Sequence, residues 1–472
     1  MKLSDLVIFN PKRPLKKGES AAFVEMAALP ENGRDINRVD EKIFTGGGSK
    51  FANKDTLFAR ITPCLENGKT SLVSGLSDGE VAFGSTEFIV LAAKEPEYDS
   101  DYIYYLSRLG EFRSFARSRM EGTSGRQRVA WQSLADYEYD FPDKRLRKFA
   151  GDVLKKFDDK ILLNHQINHT LEQMAQALFK SWFVDFEPVK AKMAVLDAGG
   201  SQADATLAAM TAISGKDADA LAVFEREHPE QYAELKATAE LFPSAMQESE
   251  GRDIPKGWAV VKTEELTSKI GMGPFGSNIK VSTFVDEGIP IISGQHLKES
   301  ILNDGENNFV TLEHADKLKS SNVFSEDIIF THAGSIGQVS IIPEFSEYDR
   351  YVISQRQFFL RADKKLISPY YLLYFFRSRT GQHLLLSNAS QVGVPSIARP
   401  SSHLKNIELV APDFKLVKKF EDHCKTIING VVQRKKQTVL LKNIRDTLLP
   451  KLLSGEITLP EAEQAVSEAE NV

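Results

Sequence analysis

Asp55-Thr-Leu-Phe-Ala-Arg60 returns as Asp327-Ile-Ile-Phe-Thr-His332. Each is a short apolar run with an acid in front and a basic side chain behind, the pattern of a buried strand. Working outward, Phe88-Ile-Val-Leu91 matches Phe358-Phe-Leu-Arg361, and Tyr102-Ile-Tyr-Tyr-Leu106 matches Tyr370-Tyr-Leu-Leu-Tyr374. Phe141-Pro-Asp143 then matches Ala411-Pro-Asp413, and Leu178-Phe-Lys180 matches Leu449-Pro-Lys451. The offsets run from 268 to 272 and the order never changes. So long a period lies far outside the ~20–50 residues of solenoids and propellers. It marks two copies of one whole unit, so the chain is expected to meet its target at two related places.

Each copy reads as a mixed α/β part followed by one long helix. Leu57–Ile61, Ser71–Val73 and Phe88–Ala92 are predicted strands in the first copy, and Tyr102–Arg119 a helix. In the second copy Ile328–Thr331, Gln338–Ile342 and Gln357–Arg361 are the strands, and Pro369–Leu386 the helix. The long helices carry apolar stripes from Leu146 to Trp182 and from Val417 to Leu452, mostly at three- and four-residue steps, as a coiled-coil seam requires. Both stripes are interrupted by polar residues, Asn164-His-Gln166 and Gln433-Arg-Lys-Lys-Gln437, and such residues in a seam fix register at a cost in stability. The expected fold class is α+β: two similar heads separated by two long helices that form an antiparallel coiled coil, an internal duplication with a pseudo-twofold axis. The expected boundaries are 1–143 for the first head, 144–192 for a central helical spacer, 193–253 for an acidic helical connector, 254–413 for the second head, 414–455 for a second spacer and 456–472 for an acidic tail. Ala203–Ala212 and Pro229–Leu241 are the predicted helices of the connector.

The 472 residues carry a net charge of −6, unevenly spread. Met193–Asp253 holds 12 acidic and 4 basic residues, and Ser454–Val472 holds 5 acidic and none basic. The remainder has 55 Lys and Arg against 48 Asp and Glu, a mildly basic body that permits contact with nucleic acid. Two cysteines, Cys64 and Cys424, lie far apart in different copies, which excludes a disulfide framework and fits a reducing cytoplasm. There is no signal-like start and no long apolar run, so neither export nor a membrane partner is expected.

A helix of about 40 residues spans roughly 60 Å, which along B-DNA covers about 17 base pairs. Two heads held by such helices can each read a short block of sequence. Gly273-Pro-Phe-Gly-Ser277, the opening Ile254-Pro-Lys-Gly-Trp258, Ala177-Leu-Phe-Lys-Ser-Trp-Phe183 and the close Leu448-Leu-Pro-Lys-Leu-Leu-Ser-Gly-Glu-Ile457 occur in that frame. With them the chain resembles the specificity subunits of type I restriction–modification systems over essentially its whole length. The resemblance implies two target-recognition domains reading a bipartite, asymmetric double-stranded DNA site. It implies that the helices dock two modification (methyltransferase) subunits and that restriction (translocase and endonuclease) subunits join the full complex; no cofactor is expected. The first head departs from the pattern in lacking a Gly-Pro-Phe-Gly-Ser loop.

Candidate DNA contacts follow from residue chemistry. Arg113, Arg117, Ser124, Arg126, Gln127 and Arg128 lie on a helix and in a Gly/Ser loop; arginine pairs bidentately with guanine and glutamine with adenine. A solvated basic face is the plainer reading. Gly273, Phe275, Gly276, Ser277 and Lys280 form a turn whose amides and cation suit a phosphate, unless the glycines serve only the turn itself. His332 and Ser335 follow a strand at the place of Pro63–Asn67 in the first copy. Gln391 and Arg399 belong to the second copy's less basic counterpart of the Gly122–Arg128 loop. The two heads are therefore expected to read different bases.

Enzyme signatures fail. His165 and His169 stand one helical turn apart, but the intervening residues lack the glutamate of a HExxH metalloprotease. Gly46-Gly-Gly-Ser-Lys50 is no P-loop, Gly334-Ser-Ile-Gly337 is no nucleophile elbow, and no Asn/Asp-Pro-Pro-aromatic tetrapeptide is present. The expectation is a chain that performs no chemistry. The alternative is a coiled-coil scaffold whose heads bind peptides or glycans.

Overall fold

The duplicated hexapeptides form the inner strands of two equivalent sheets in a computed structural model of the chain, which describes residues 1–123, 125–390 and 392–457, and of Ser277 the backbone alone. Two compact units result, residues 1–166 with 435 onward, and residues 167–434.

In the first unit the strands are β1 (Val7–Phe9), β2 (Ser20–Val24), β3 (Asp40–Ile43), β4 (Ser49–Phe51), β5 (Thr56–Ala59), β6 (Thr70–Leu72), β7 (Ala82–Gly84) and β8 (Phe88–Ala93). They make two sheets, ordered β1-β8-β5-β6 and β3-β2-β7-β4. The second unit repeats this with β9 (Thr267–Met272), β10 (Ile289–Ile292), β11 (Asn308–Val310), β12 (Asn322–Val323), β13 (Ile328–Thr331), β14 (Val339–Ile341), β15 (Tyr351–Ile353) and β16 (Gln357–Ala362). Its sheets are ordered β9-β16-β13-β14 and β11-β10-β15-β12, position for position the same. The parallel strand pairing recurs too, β2 with β7 and β10 with β15.

Burial on both faces explains the unbroken apolar runs. Phe58 and Ile89 face a core shared with helices, while Leu57 and Val90 face the second sheet. Phe330 and Phe358 against Ile329 and Phe359 divide in the same way. The acid that opens each hexapeptide holds its turn. Asp55 follows Lys54 (φ 71°) and Asp327 follows Glu326 (φ 67°), both left-handed. Asp55 accepts from Ala52 N at 2.8 Å and from Arg13; Asp327 accepts from Phe324 N at 2.9 Å and from Arg361 Nε at 2.7 Å.

The helix expected over Tyr102–Arg119 is two helices, Pro96–Arg108 and Gly110–Ser118, because Leu109 is extended (ψ 133°). Pro369–Leu386 likewise divides into Pro369–Arg377 and Arg379–Leu386, with Ser378 capping the second through Gly381 N at 3.1 Å. Arg108 and Arg377, the last residues before these breaks, both bond carbonyls beside the sheet, Gly68 at 3.0 Å and Val339 at 2.8 Å. Aligned on those arginines, Tyr102 corresponds to Tyr371, one residue away from the pairing with Tyr370.

The long helices run Lys144–Phe183 and Phe414–Ser454. In the first unit Asp158 meets Arg445 and Asn164 meets Thr438, so the segments are antiparallel. In the second unit Phe179 packs on Phe420 while Leu171 lies at Gly430, again antiparallel. The polar interruptions find each other: Asn164 Nδ2 donates to Gln437 Oε1 at 2.8 Å and to Thr438 Oγ1 at 3.3 Å. A buried amide that is bonded supports register without the penalty of an unmet group. His165 and His169 are exposed, and no cluster of three metal-ligating side chains occurs among the described residues.

The first long helix stops at Phe183, within the expected spacer 144–192. Phe186 turns left-handed (φ 55°) and a new helix, Glu187–Asp197, with Pro188 in its first turn, runs across the expected start of the connector. Helices Gln202–Ser214, Ala218–Glu227 and Pro229–Glu240 follow, then a hairpin of Met246–Ser249 with Arg252–Pro255. The Ile-Pro-Lys-Gly-Trp motif is an anchor: buried Trp258 lies against Phe183 and Phe186. In the first unit the closing motif does similar work, with Tyr102 donating to Leu453 O at 2.7 Å before Gly455 (φ 74°) ends the helix. No helix among the described residues is long and apolar enough to cross a membrane.

Candidate nucleic-acid interface

The residue after each duplicated strand is clamped in one backbone frame. Arg60 N donates to Glu87 O at 3.0 Å, and Val129 N donates to Arg60 O at 3.0 Å. His332 N donates to Arg356 O at 3.0 Å, and Ile397 N donates to His332 O at 2.8 Å. In each unit a two-stranded hairpin is thereby fastened to the end of the main sheet: Met120–Glu121 with Arg128–Val129, and Ala389–Ser390 with Ser396–Ile397. Bridges Ile61–Arg128 and Ala333–Ser396 complete the likeness. The hairpin that carries Arg128 and the one that carries Ser396 therefore sit at equivalent ends of the two sheets.

In the first unit the arginines separate by use. Arg113 is half-buried, and its guanidinium donates to the carbonyls of Leu65 and Glu66, the latter at 3.2 Å. Burial, with Arg108 and Arg117 nearby, pushes its pKa down to about 10. It braces the Cys64–Gly68 turn. Arg128 is likewise occupied: Nε lies 3.0 Å from each oxygen of Glu87 and Nη2 lies 2.7 Å from Oε1. This pairing raises its pKa above the ordinary guanidinium value, and its charge is locally neutralised. Arg126 is exposed and makes no ion pair among the described residues, and Arg117 is exposed with one 3.3 Å bond to Ser114. Gln127 is fixed through its backbone, which exchanges bonds with Thr62 at 3.0 and 3.1 Å. Ser124 lies outside the described residues.

In the second unit Gly273 N donates to Gln357 O at 2.9 Å, and a Cβ there would collide with the Ser354 carbonyl. Its glycine is required by close approach, whereas that of Gly276 (φ 63°) is required by the turn. The loop holds Phe275 77% exposed, and Lys280 is exposed farther along. His332 is half-buried, its Nε2 at 3.1 Å from Gln355 O. Ser335 is exposed in the next turn, and Gly334 N ties that turn to the hairpin through Pro395 O at 2.9 Å. Arg399 is exposed with a left-handed backbone (φ 46°) where the hairpin runs into helix Pro400–Lys405. Gln391 lies outside the described residues, as does the side chain of Ser277. Four residues escaped the reading of the sequence: Glu87, Arg356, Val392 and Val394. Arg356 is the residue equivalent to Glu87, exposed and lying against Gly334. The repeated hexapeptide was the available signal, since it places Arg60 opposite His332, and their shared frame leads to both.

A duplicated α+β chain, with two like heads and paired long helices, is the class this architecture defines. No family model matches the chain. It is similar to the HindI type I restriction enzyme specificity subunit of Haemophilus influenzae, 29% identical over 424 residues, 88% of this chain and 89% of that one. It is also similar to the MjaIX specificity subunit of Methanocaldococcus jannaschii, 22% identical over 373 residues, 77% of this chain and 70% of the other. Among solved structures, the type I restriction-modification S subunit from M. genitalium is 15% identical with a TM-score of 0.46, covering 96% of this chain and 95% of that chain. The HsdS subunit from Thermoanaerobacter tengcongensis is also 15% identical, with a TM-score of 0.31, covering 97% of this chain and 96% of that one. The chain thus resembles specificity subunits of type I restriction enzymes across nearly its whole length, as its motifs imply.

Proposed function

We propose that this chain is the DNA sequence-recognition subunit of a type I restriction–modification complex. The observation that carries the reading is likeness to a specificity subunit along 88% of the chain. Two equivalent frames, each presenting a different hairpin, agree with two unlike half-sites. In this reading residues 1–143 and 254–413 are the target-recognition domains and 144–192 and 414–455 the spacers, joined by the connector and followed by the tail. The helices dock two modification subunits, restriction subunits complete the assembly, and the whole acts in the cytoplasm on double-stranded DNA. The chain itself performs no chemistry: its partners methylate a base that must leave the stack. Arg117, Arg126 and Gln127 are the proposed contacts of the first head, with Ser124 from the sequence. Phe275, Lys280, Ser335, Arg356 and Arg399 are those of the second, with Gln391 from the sequence.

The body's basic excess is small, so the chain alone should bind DNA weakly and lose that binding with salt. Gel shifts with and without the modification subunits test this: tight, sequence-specific binding is expected only in their presence. Indifference of the assembled complex to DNA sequence would refute the assignment and favour the scaffold reading. Mapping methylated adenines across the genome, with and without the chain, then identifies the site.

A further inference from the structure

The two hairpins occupy equivalent positions but carry opposite chemistry at their tips. In the first unit the loop carries exposed Arg126, whose amide donates to Thr123 O at 3.0 Å. In the second, Val392 is 91% and Val394 62% exposed, flanking Gly393 with its left-handed φ of 76°. A single exposed valine carries no information. Two at the tip of one anchored ribbon, where the duplicate carries a cation, call for a physical reason. The ribbon is held at its base by Gly334 N on Pro395 O at 2.9 Å, so the valines are presented rather than trailing. Two exposed cations belong to the same region: Arg356 lies against Gly334, and Arg399 follows the hairpin's second strand.

The major groove of B-DNA admits a two-stranded ribbon, and only thymine offers an apolar group there, its C5-methyl. We infer that Val392 and Val394 read thymine methyls, so that the half-site of the second unit contains A·T pairs recognised by apolar contact, with Arg356 and Arg399 on the flanking phosphates. The inference rests on the DNA-recognition reading above and adds to it the base class read by one head.

The test uses the full chain assembled with its modification subunits, on a duplex carrying its methylated site. Each thymine is replaced in turn by deoxyuridine, which deletes only the C5-methyl. Affinity is expected to fall about fourfold for each contacted methyl, at positions confined to one half-site. In the chain carrying Val392→Ser with Val394→Ser those losses should vanish, because the altered tip no longer distinguishes the two bases. Should the serine variant fail to fold, Val392→Asn with Val394→Asn, polar residues that turns accept, carries the same comparison. Uracil tolerated at every position, or penalties undiminished in the variant, overturns the methyl contact while leaving specific DNA binding intact. Loss of all sequence preference by the unaltered complex is a different failure, that of the assignment itself.

Discussion

The two heads share a backbone frame and differ in what closes it. In the first, the hairpin is tied to the sheet by charge, Arg128 on Glu87 at 2.7 Å. In the second, Arg356 stands where Glu87 does and Ser396 where Arg128 does, so the same hairpin is fastened by backbone bonds, with no ion pair among the described residues. The opening turns tell a similar story. Asp55 and Asp327 hold identical turns, yet the guanidinium of one comes from Arg13, beyond β1, and that of the other from Arg361, within β16. Duplication fixed the backbone hydrogen bonds and left the side chains around them to diverge. Reading heads that must recognise different bases need such an arrangement: a frame indifferent to the chemistry at its tip.

The largest effect should come from the element the heads hold in common. Asp55→Ala and Asp327→Ala each leave a turn amide and a partly exposed guanidinium without their acceptor, and losing such charged hydrogen bonds costs about 1.5–3 kcal/mol. Urea melts of the two variants should show losses of similar size. A loss at one position only would break the equivalence of the turns. Next comes the functional divergence. Arg126→Ala should cost about 1–3 kcal/mol of discrimination in one half-site and leave the other unchanged, read by competition gel shift of the assembled complex. Arg128→Ala should weaken the first hairpin's attachment instead, lowering its melting temperature more than its base preference. If Arg128 rather than Arg126 controls the half-site, the ion pair with Glu87 opens on DNA and the assignment of roles is reversed.

A smaller effect is expected at the polar interruption of the seam. Asn164→Ala removes bonds to Gln437 and Thr438 in the first unit, at about 1 kcal/mol of net stability. In the second unit Leu171 packs at Gly430, so Leu171→Ala should act there through lost packing. A urea melt of Asn164→Ala as stable as the unaltered chain would mean that the interruption contributes nothing to register.

What could be read in advance, and what could not, follows the range of the interactions. β5, β8, β13 and β16 were legible because burial on both faces makes an unbroken apolar run. The second sheet of each unit was not: β3 shows mostly exposed side chains and β2 only partial alternation, so neither stands out from the surrounding turns. The break at Leu109 was hidden because the apolar pattern continues through it and only the backbone changes direction. Asn164 and Gln437 were visible as polar residues within stripes, and their meeting follows from antiparallel pairing. The fates of Arg113 and Arg128 were invisible for a different reason. Their partners, Leu65, Glu66 and Glu87, lie more than 40 positions away in the chain, and nothing local distinguishes a committed arginine from a free one. Composition finds a basic cluster; only the fold sorts it.

That sorting yields the smallest and most discriminating contrast, between Arg113 and Arg117, one turn apart on the same helix. Arg113 braces the Cys64–Gly68 turn through two carbonyls, so Arg113→Ala should destabilise the first unit without altering how binding responds to salt. Arg117 is exposed and only loosely bonded, so Arg117→Ala should leave the melting temperature within error. If it contacts a phosphate, the slope of log affinity against log salt falls by about 1. The measurement is a salt titration of the assembled complex on its site, run beside a thermal melt of each variant. An unchanged slope for Arg117→Ala removes that helix from the DNA face and confines the first head's contacts to the hairpin. A changed slope for Arg113→Ala would mean that its carbonyl bonds give way to phosphate on binding, and the division between bracing and reading arginines would fail at its clearest point.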